Sequence, residues 1–85
     1  MSFQVIFHDD VKKKIKEVPK HYQKTIVAKL SALSEFPQFL DIKKIKGQEN
    51  TYRLRIGGYR AIFDVDFKNK IIYVTALNIR GRIKY

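Results

Sequence analysis

The 85-residue chain contains no cysteine, which excludes disulfide bonds, thiolate nucleophiles and cysteine metal sites. It also has no tryptophan and only two prolines, Pro19 and Pro37. No apolar run approaches the length needed to cross a bilayer, and the N-terminus lacks the pattern of an export signal. We therefore expect a soluble, cytoplasmic protein without a membrane partner, folded as one domain over residues 1–85.

Acidic residues are also scarce. The chain carries 8 Asp and Glu against 18 Lys and Arg, a net charge of +10 at pH 7. A small domain of this charge attracts phosphate backbones, acidic proteins or anionic membranes. Hydrophobic residues make up 45% of the chain, which is enough for a compact core. The composition thus indicates a globular domain with a polyanionic partner.

The first half of the chain predicts one strand and two helices. Residues 3–8 are rich in strand formers, and Asp9 or Asp10 then provides an N-cap signal. Pro19 separates two apolar stripes with helical spacing, and the second stripe stops near Pro37. The stripe residues are Val11, Ile15 and Val18, then Tyr22, Ile26, Leu30 and Leu33. Residues 9–36 are therefore predicted to form a helical hairpin.

The second half changes to a period of two. In TYRLRI, Arg53 and Arg55 alternate with apolar side chains, so both arginines point to the same side of a strand. Gly57-Gly58 and residues 68–70 provide turns, and the nearly apolar segment IIYVTALN predicts a strand in the interior of the sheet. The predicted fold is α+β with the order β-α-α-β-β-β. Its three-stranded antiparallel meander has one face under the helices and one bearing arginines.

One stretch of this chain, TYRLRIGGYRAIFDVDFKNKIIYVTALNIRGRIKY, resembles the second half of toxins of the RelE type, within the RelE/ParE superfamily. This chain and the family share a strand with alternating basic residues, a glycine turn, a YR pair and a basic tail with a terminal tyrosine. The order of elements extends the resemblance to the whole chain. Many relatives have a His-Arg pair and a different spacing to the tyrosine in the tail, where this chain has IRGRIKY. Some relatives have lysines on the second strand, where this chain has Arg53 and Arg55.

This resemblance implies a toxin of a type II toxin–antitoxin system that cleaves mRNA on the ribosome without a metal or other cofactor. Its expected partners are a cognate acidic antitoxin, rRNA and mRNA, and the toxin alone is expected to be a monomer. Catalytic roles are predicted for Arg55, Arg60, Arg80 and Tyr85. RNA-binding roles are predicted for Arg53, Arg55, Arg82, Lys43, Lys44 and Lys46.

Other interpretations remain open from the sequence. ParE-type members inhibit DNA gyrase without nuclease activity, and a basic RNA-binding protein without catalysis would have the same charge. The arginines could instead pair with Asp64 and Asp66 on the same face. Tyr85 could act as a general base, stack on a nucleobase or pack at the C-terminus.

Overall fold

The computed structural model describes residues 2–36 and 41–79. Strand β1 (Gln4–Phe7) is followed by helices α1 (Asp9–Glu17) and α2 (Lys20–Ser31), and a 3-10 turn (Ala32–Glu35) extends α2. Four strands follow, β2 (Ile42–Lys44), β3 (Thr51–Ile56), β4 (Tyr59–Asp66) and β5 (Ile71–Ile79). The predicted strand, helical hairpin and antiparallel meander are confirmed, with β2 as an additional strand.

Helix α1 is capped by His8 and not by an aspartate. The His8 Nδ1 atom accepts a hydrogen bond of 3.0 Å from the backbone N–H of Asp10. The prediction of an aspartate N-cap was therefore wrong. Asp9 and Asp10 lie in the first turn, where their negative charge complements the positive end of the helix dipole.

The two helices cover one face of the sheet with their apolar stripes. All predicted stripe residues except Tyr22 are buried, namely Val11, Ile15, Val18, Ile26, Leu30 and Leu33. Tyr22 is 46% exposed, and its ring meets the ring of Tyr59 edge to face at 5.7 Å. Lysines 12–14 and 16 are exposed on the opposite side of α1. None of the helices in the described residues is long and apolar enough to cross a membrane.

The five strands form one mixed sheet in the order β1-β5-β4-β3-β2. Strand β1 runs parallel to β5, and the other neighbours are antiparallel. Strand β5 is interior, as predicted, because β1 and β4 flank it. The sequence prediction missed β2 because its three residues, IKK, are too few and too polar to show an alternating pattern.

Alternation along β3 and β4 divides their side chains between two faces. Leu54, Ile56, Ala61, Phe63 and Val65 are buried beneath the helices. We call the opposite side of the sheet the open face. Its residues on β3, β4 and β5 include Thr51, Arg53, Arg55, Arg60, Ile62, Asp64, Asp66 and Tyr73.

Two local features set the register of these strands. Gly57 has a φ of +58°, the left-handed value that a type II′ hairpin turn requires at its first central position, and the turn aligns Ile56 with Tyr59. On β5, Ile62 pairs with Ala76 while Phe63 pairs with Val74, which leaves Thr75 as a bulge. Register matters here because a slip by one residue would move every arginine to the buried face.

Replacement of Phe63 should test whether the core holds the open face in place. Phe63 is fully buried and packs against Phe36 and Tyr52 at ring distances of 5.8 and 5.7 Å. We expect Phe63→Ala to lower the free energy of unfolding by about 3–5 kcal/mol. The neighbouring Ile62→Ala, on the open face, should cost about 1 kcal/mol. Urea denaturation of both variants measures the difference, and equal losses would contradict this division of the faces.

Candidate nucleic-acid interface

The open face places cations opposite one another on neighbouring strands. Arg55 on β3 pairs with Arg60 on β4, and Lys43 on β2 pairs with Arg53 on β3. Directly opposed residues on one face have Cβ atoms about 5 Å apart, and like charges in that arrangement destabilise a sheet. Two such pairs at one end of the sheet therefore indicate a surface built to receive anions.

The predicted RNA-binding lysines do not all belong to this surface. Lys43 shares the open face with Arg53, whereas Lys44 pairs with Tyr52, whose ring packs against the core. Lys46 is exposed in the turn that follows β2. The structure thus groups Lys43, Arg53, Arg55 and Arg60, which we call the cationic patch.

One anion of the chain already touches the cationic patch. The Arg55 Nε atom lies 2.9 Å from the Asp41 Oδ2 atom, and the Arg55 backbone N–H donates to the Asp41 carbonyl oxygen at 3.0 Å. Both side chains are about half exposed, at 53% and 52%. Asp41, Lys43, Arg53 and Arg55 line a small cleft of about 70 Å³. The Asp41 carboxylate therefore occupies a position that a phosphate oxygen could take.

The sequence did not reveal this ion pair because β2, which brings Asp41 beside β3, was not predicted. The alternative partners considered from the sequence, Asp64 and Asp66, form no ion pair with an arginine within residues 2–36 and 41–79. Asp64 accepts a hydrogen bond of 2.7 Å from the Thr51 hydroxyl. Asp66 accepts from the backbone N–H and the side-chain amide of Asn69, and these bonds lower its carboxyl pKa below the ordinary value of 3.8.

Arg60 differs from Arg55 in its environment. Its side chain is half-buried, and its Nε atom is shielded from solvent without a hydrogen-bond partner in the part of the chain that the structure describes. A buried donor without a partner is costly, which makes it a strong point of attachment for an incoming acceptor. On its other side Arg60 pairs with Asn78 of β5. The remaining predicted site residues, Arg80, Arg82 and Tyr85, lie outside the described residues.

Both histidines make contacts with neighbouring residues of the helices and not with the cationic patch. His8 caps α1 through Nδ1, and the His21 ring lies 4.3 Å from the ring of Tyr22 on α2. Neither residue belongs to the strands that carry the cationic patch. The described part of the interface is therefore composed of fixed positive charge without an imidazole.

Removal of the Asp41 carboxylate should strengthen RNA binding because it frees the Arg55 guanidinium. We expect Asp41→Asn to tighten the binding of a single-stranded RNA by about 2- to 5-fold, the worth of an exposed ion pair. Glu49→Gln is the matched control, since it removes one negative charge from an exposed residue in the β2–β3 connection. Fluorescence anisotropy at low salt measures both affinities. Equal gains in both variants would show that only net charge matters.

The sequence and the fold of this chain are similar to those of known proteins. The family model described as ParE toxin of type II toxin-antitoxin system, parDE, matches residues 5–83. The putative toxin RelE1 of Methanocaldococcus jannaschii is 31% identical over 83 residues, covering 94% of this chain and 92% of that protein. A chain of the archaeal RelE–RelB complex from Pyrococcus horikoshii superposes with a TM-score of 0.82 at 31% identity, covering 98% of this chain and 100% of the other. Isolated RelE of E. coli, at 18% identity, shares the fold with a TM-score of 0.79 over 98% of this chain and 89% of its own. This chain therefore belongs to the RelE/ParE family of toxins of type II toxin–antitoxin systems.

Proposed function

We propose that this toxin is a metal-independent endoribonuclease that cleaves mRNA on the ribosome and thereby stops translation. The observation that carries the proposal is the pairing of Arg55 with Arg60, whose Nε atom is a shielded donor without a partner among residues 2–36 and 41–79. Opposed guanidinium groups suit a phosphodiester because each can donate two parallel hydrogen bonds to its oxygens.

The proposed reaction uses the RNA's own nucleophile. The 2′-oxygen forms a bond to the adjacent phosphorus and the bond to the 5′-oxygen breaks. The 2′-proton passes to a base, and the leaving 5′-oxygen takes a proton from solvent water. Arg60 and Arg80 would stabilise the charge that develops on the phosphate. Arg53, Arg55 and Lys43 would hold the neighbouring phosphates so that the attack is in line. Lys44, Lys46 and Arg82 would add further RNA contacts.

Arginine stays protonated at neutral pH, so the base must be another group. We assign this role to Tyr85, because Arg80, Arg82 and Lys84 precede it and nearby cations favour the phenolate form. The ring could alternatively serve by stacking on a nucleobase.

The partners follow from charge and from the relatives. RelE of Pyrococcus horikoshii forms a complex with RelB, and RelBE2 of Mycobacterium tuberculosis is a toxin–antitoxin complex. For this chain we propose a cognate acidic antitoxin, since a net charge of +10 and a cationic patch suit an acidic inhibitor. The proposed targets of the toxin are the ribosome and its mRNA, so the toxin would act in the cytoplasm.

A second candidate function is inhibition of DNA gyrase, which the ParE description of the matching family model favours. The two functions predict different products. A nuclease leaves new mRNA 5′ ends at defined codon positions, whereas a gyrase inhibitor leaves mRNA intact and blocks supercoiling. A translation extract and a supercoiling assay with the same protein preparation separate them.

Arg60→Ala should abolish most of the cleavage. An arginine that contacts the scissile phosphate is worth more in the transition state than in the ground state, so we expect the cleavage rate to fall by about 100-fold or more. Ribosome affinity should fall much less because other cations share the binding. Lys12→Ala, on the exposed side of α1, is the charge control and should leave the rate unchanged. Equal losses in rate and affinity would make Arg60 an anchor only.

Tyr85→Phe tests the identity of the base. Loss of the hydroxyl should lower the cleavage rate by about 100-fold while ribosome binding survives, the usual scale for a general base. If Tyr85 only stacks, Phe should be nearly silent and Ala harmful. If both Phe and Ala at this position leave the cleavage rate unchanged, Tyr85 is not the base.

A further inference from the structure

The open face has a second zone beyond the cationic patch. Thr51 of β3, Asp64 of β4 and Tyr73 of β5 are aligned across three strands, because Thr51 pairs with Asp64 and Asp64 pairs with Tyr73. The next row, in which Ile62 pairs with Arg53 on one side and with Ala76 on the other, joins this zone directly to the cationic patch. The zone therefore combines a hydroxyl, a carboxylate and an aromatic ring that the proposed chemistry leaves without a role.

The Asp64 carboxylate is held in place but only partly used. Its Oδ1 atom accepts the Thr51 hydroxyl at 2.7 Å, and its Oδ2 atom accepts no hydrogen bond from the described residues. Asp66 on the same strand face is different, because Asn69 bonds both of its carboxylate oxygens and thereby closes the β4–β5 turn. Asp64 thus presents an oriented acceptor to an external donor, whereas Asp66 serves the fold.

Tyr73 supplies an aromatic surface beside that acceptor. It is 40% exposed, and it forms no ring pair within the described part of the chain, whereas Tyr22, Tyr52 and Tyr59 all do. Thr51, Asp64 and Tyr73 line one open cleft of about 540 Å³, together with Asn50, Asp66 and Lys68. This volume lies within the range of roughly 300–1,000 Å³ that is usual for small-molecule sites.

We propose that this cleft binds a guanine base of the RNA substrate, with the ring against Tyr73 and the base edge on Asp64. The proposal rests on the proposed nuclease function and names a specificity site for it. The two carboxylates of the cleft, Asp64 and Asp66, outnumber its one cation, Lys68, so the RNA backbone is favoured at the cationic patch and an uncharged base at the cleft. Exposed aromatic rings on an open sheet are the usual platforms for single-stranded bases.

Guanine is the base that fits this acceptor best. Its N1–H and N2–H groups are adjacent donors, which a carboxylate can accept in a bidentate pair. Adenine and cytosine place a ring acceptor beside their amino group, and uracil places carbonyl oxygens on both sides of its single N–H, so each would turn an acceptor toward Asp64. Asp64 lies four residues from Arg60 along β4, about 13 Å at the usual rise of a strand. The guanine therefore belongs to a nucleotide near the cut and not to the scissile step itself.

Asp64→Asn is the central test, read from the mRNA 5′ ends produced in a translation extract. Wild-type cuts should be enriched in guanine at one fixed offset from the cut, and Asp64→Asn should reduce that enrichment by about 10-fold, the scale of one bidentate base contact. Tyr73→Ala should lower cleavage about 10-fold at sites with any base there, while Tyr73→Phe keeps the ring and should behave as wild type. Glu49→Gln is the charge-matched control. Thr51→Val, which keeps the carboxylate but frees its orientation, is a second variant should Asp64→Asn fail to fold.

A measurement without cleavage separates this inference from the proposed function. Titration of the free protein with GMP, CMP and UMP, followed through the Tyr73 ring resonances by NMR, should show a shift that is largest with GMP and lost in Asp64→Asn. If the wild type makes no cuts, the nuclease proposal fails, and this titration alone decides whether the base site exists. Cuts whose base distribution ignores Asp64→Asn, or ring shifts equal for all three nucleotides, overturn the inference. So does an unchanged distribution with weakened antitoxin affinity, which would assign the cleft to the protein partner.

Discussion

Repulsion between like charges on the open face is the constraint that the rest of this structure must offset. The antiparallel register of β3 and β4 holds Arg55 opposite Arg60, and the pairing of β2 with β3 holds Lys43 opposite Arg53. Left alone, each pair costs stability. The buried face compensates through Leu54, Phe63 and the helices above them, and the Gly57 turn prevents the register from relaxing. The core therefore maintains an arrangement of cations that the surface alone would not adopt.

Three kinds of anion can relieve that repulsion, and they connect fold, regulation and function. The Asp41 carboxylate does so within the chain, at 2.9 Å from Arg55. In our account, an acidic antitoxin relieves the repulsion in the inactive complex, and the phosphates of mRNA relieve it when the toxin is bound to its substrate. In our account all three use the Arg55 guanidinium, so each would displace or exclude the others. Arg60, whose Nε atom has no partner in the described residues, is the group with most to gain from the substrate.

Much of the architecture could be predicted because its signals are local. The alternation in TYRLRI and YRAIFDVD identified both faces of β3 and β4, and all but one of the helix positions that the helical spacing identified are buried. Tyr22 was misassigned because its position satisfies the helical period while the helix surface there faces the end of strand β4 at Tyr59, where the ring stays half exposed. The His8 cap was missed because histidine is not a usual N-cap residue.

The features that the sequence could not supply depend on contacts between distant segments. The parallel pairing of β1 with β5 is formed only when the helical hairpin carries the chain across the sheet. Asp41 reaches Arg55 across 14 positions of sequence, through a strand too short to show a pattern. The alignment of Thr51, Asp64 and Tyr73 likewise needs the register of three strands. The residue types alone identified the arginines as candidate site residues, but the strand topology is needed to show which of them are paired across strands.

The RelE/ParE fold accommodates more than one activity, so the function rests on the chemistry of the open face. The most direct measurement is a structure of this protein on a ribosome whose A-site codon carries 2′-O-methyl groups, which block the nucleophile and leave the substrate intact. Our account predicts that the open face lies on the codon, with the Arg60 guanidinium within hydrogen-bond distance of the phosphate next to a modified 2′-oxygen. A complex in which the helices face the codon and the open face points to solvent would contradict it.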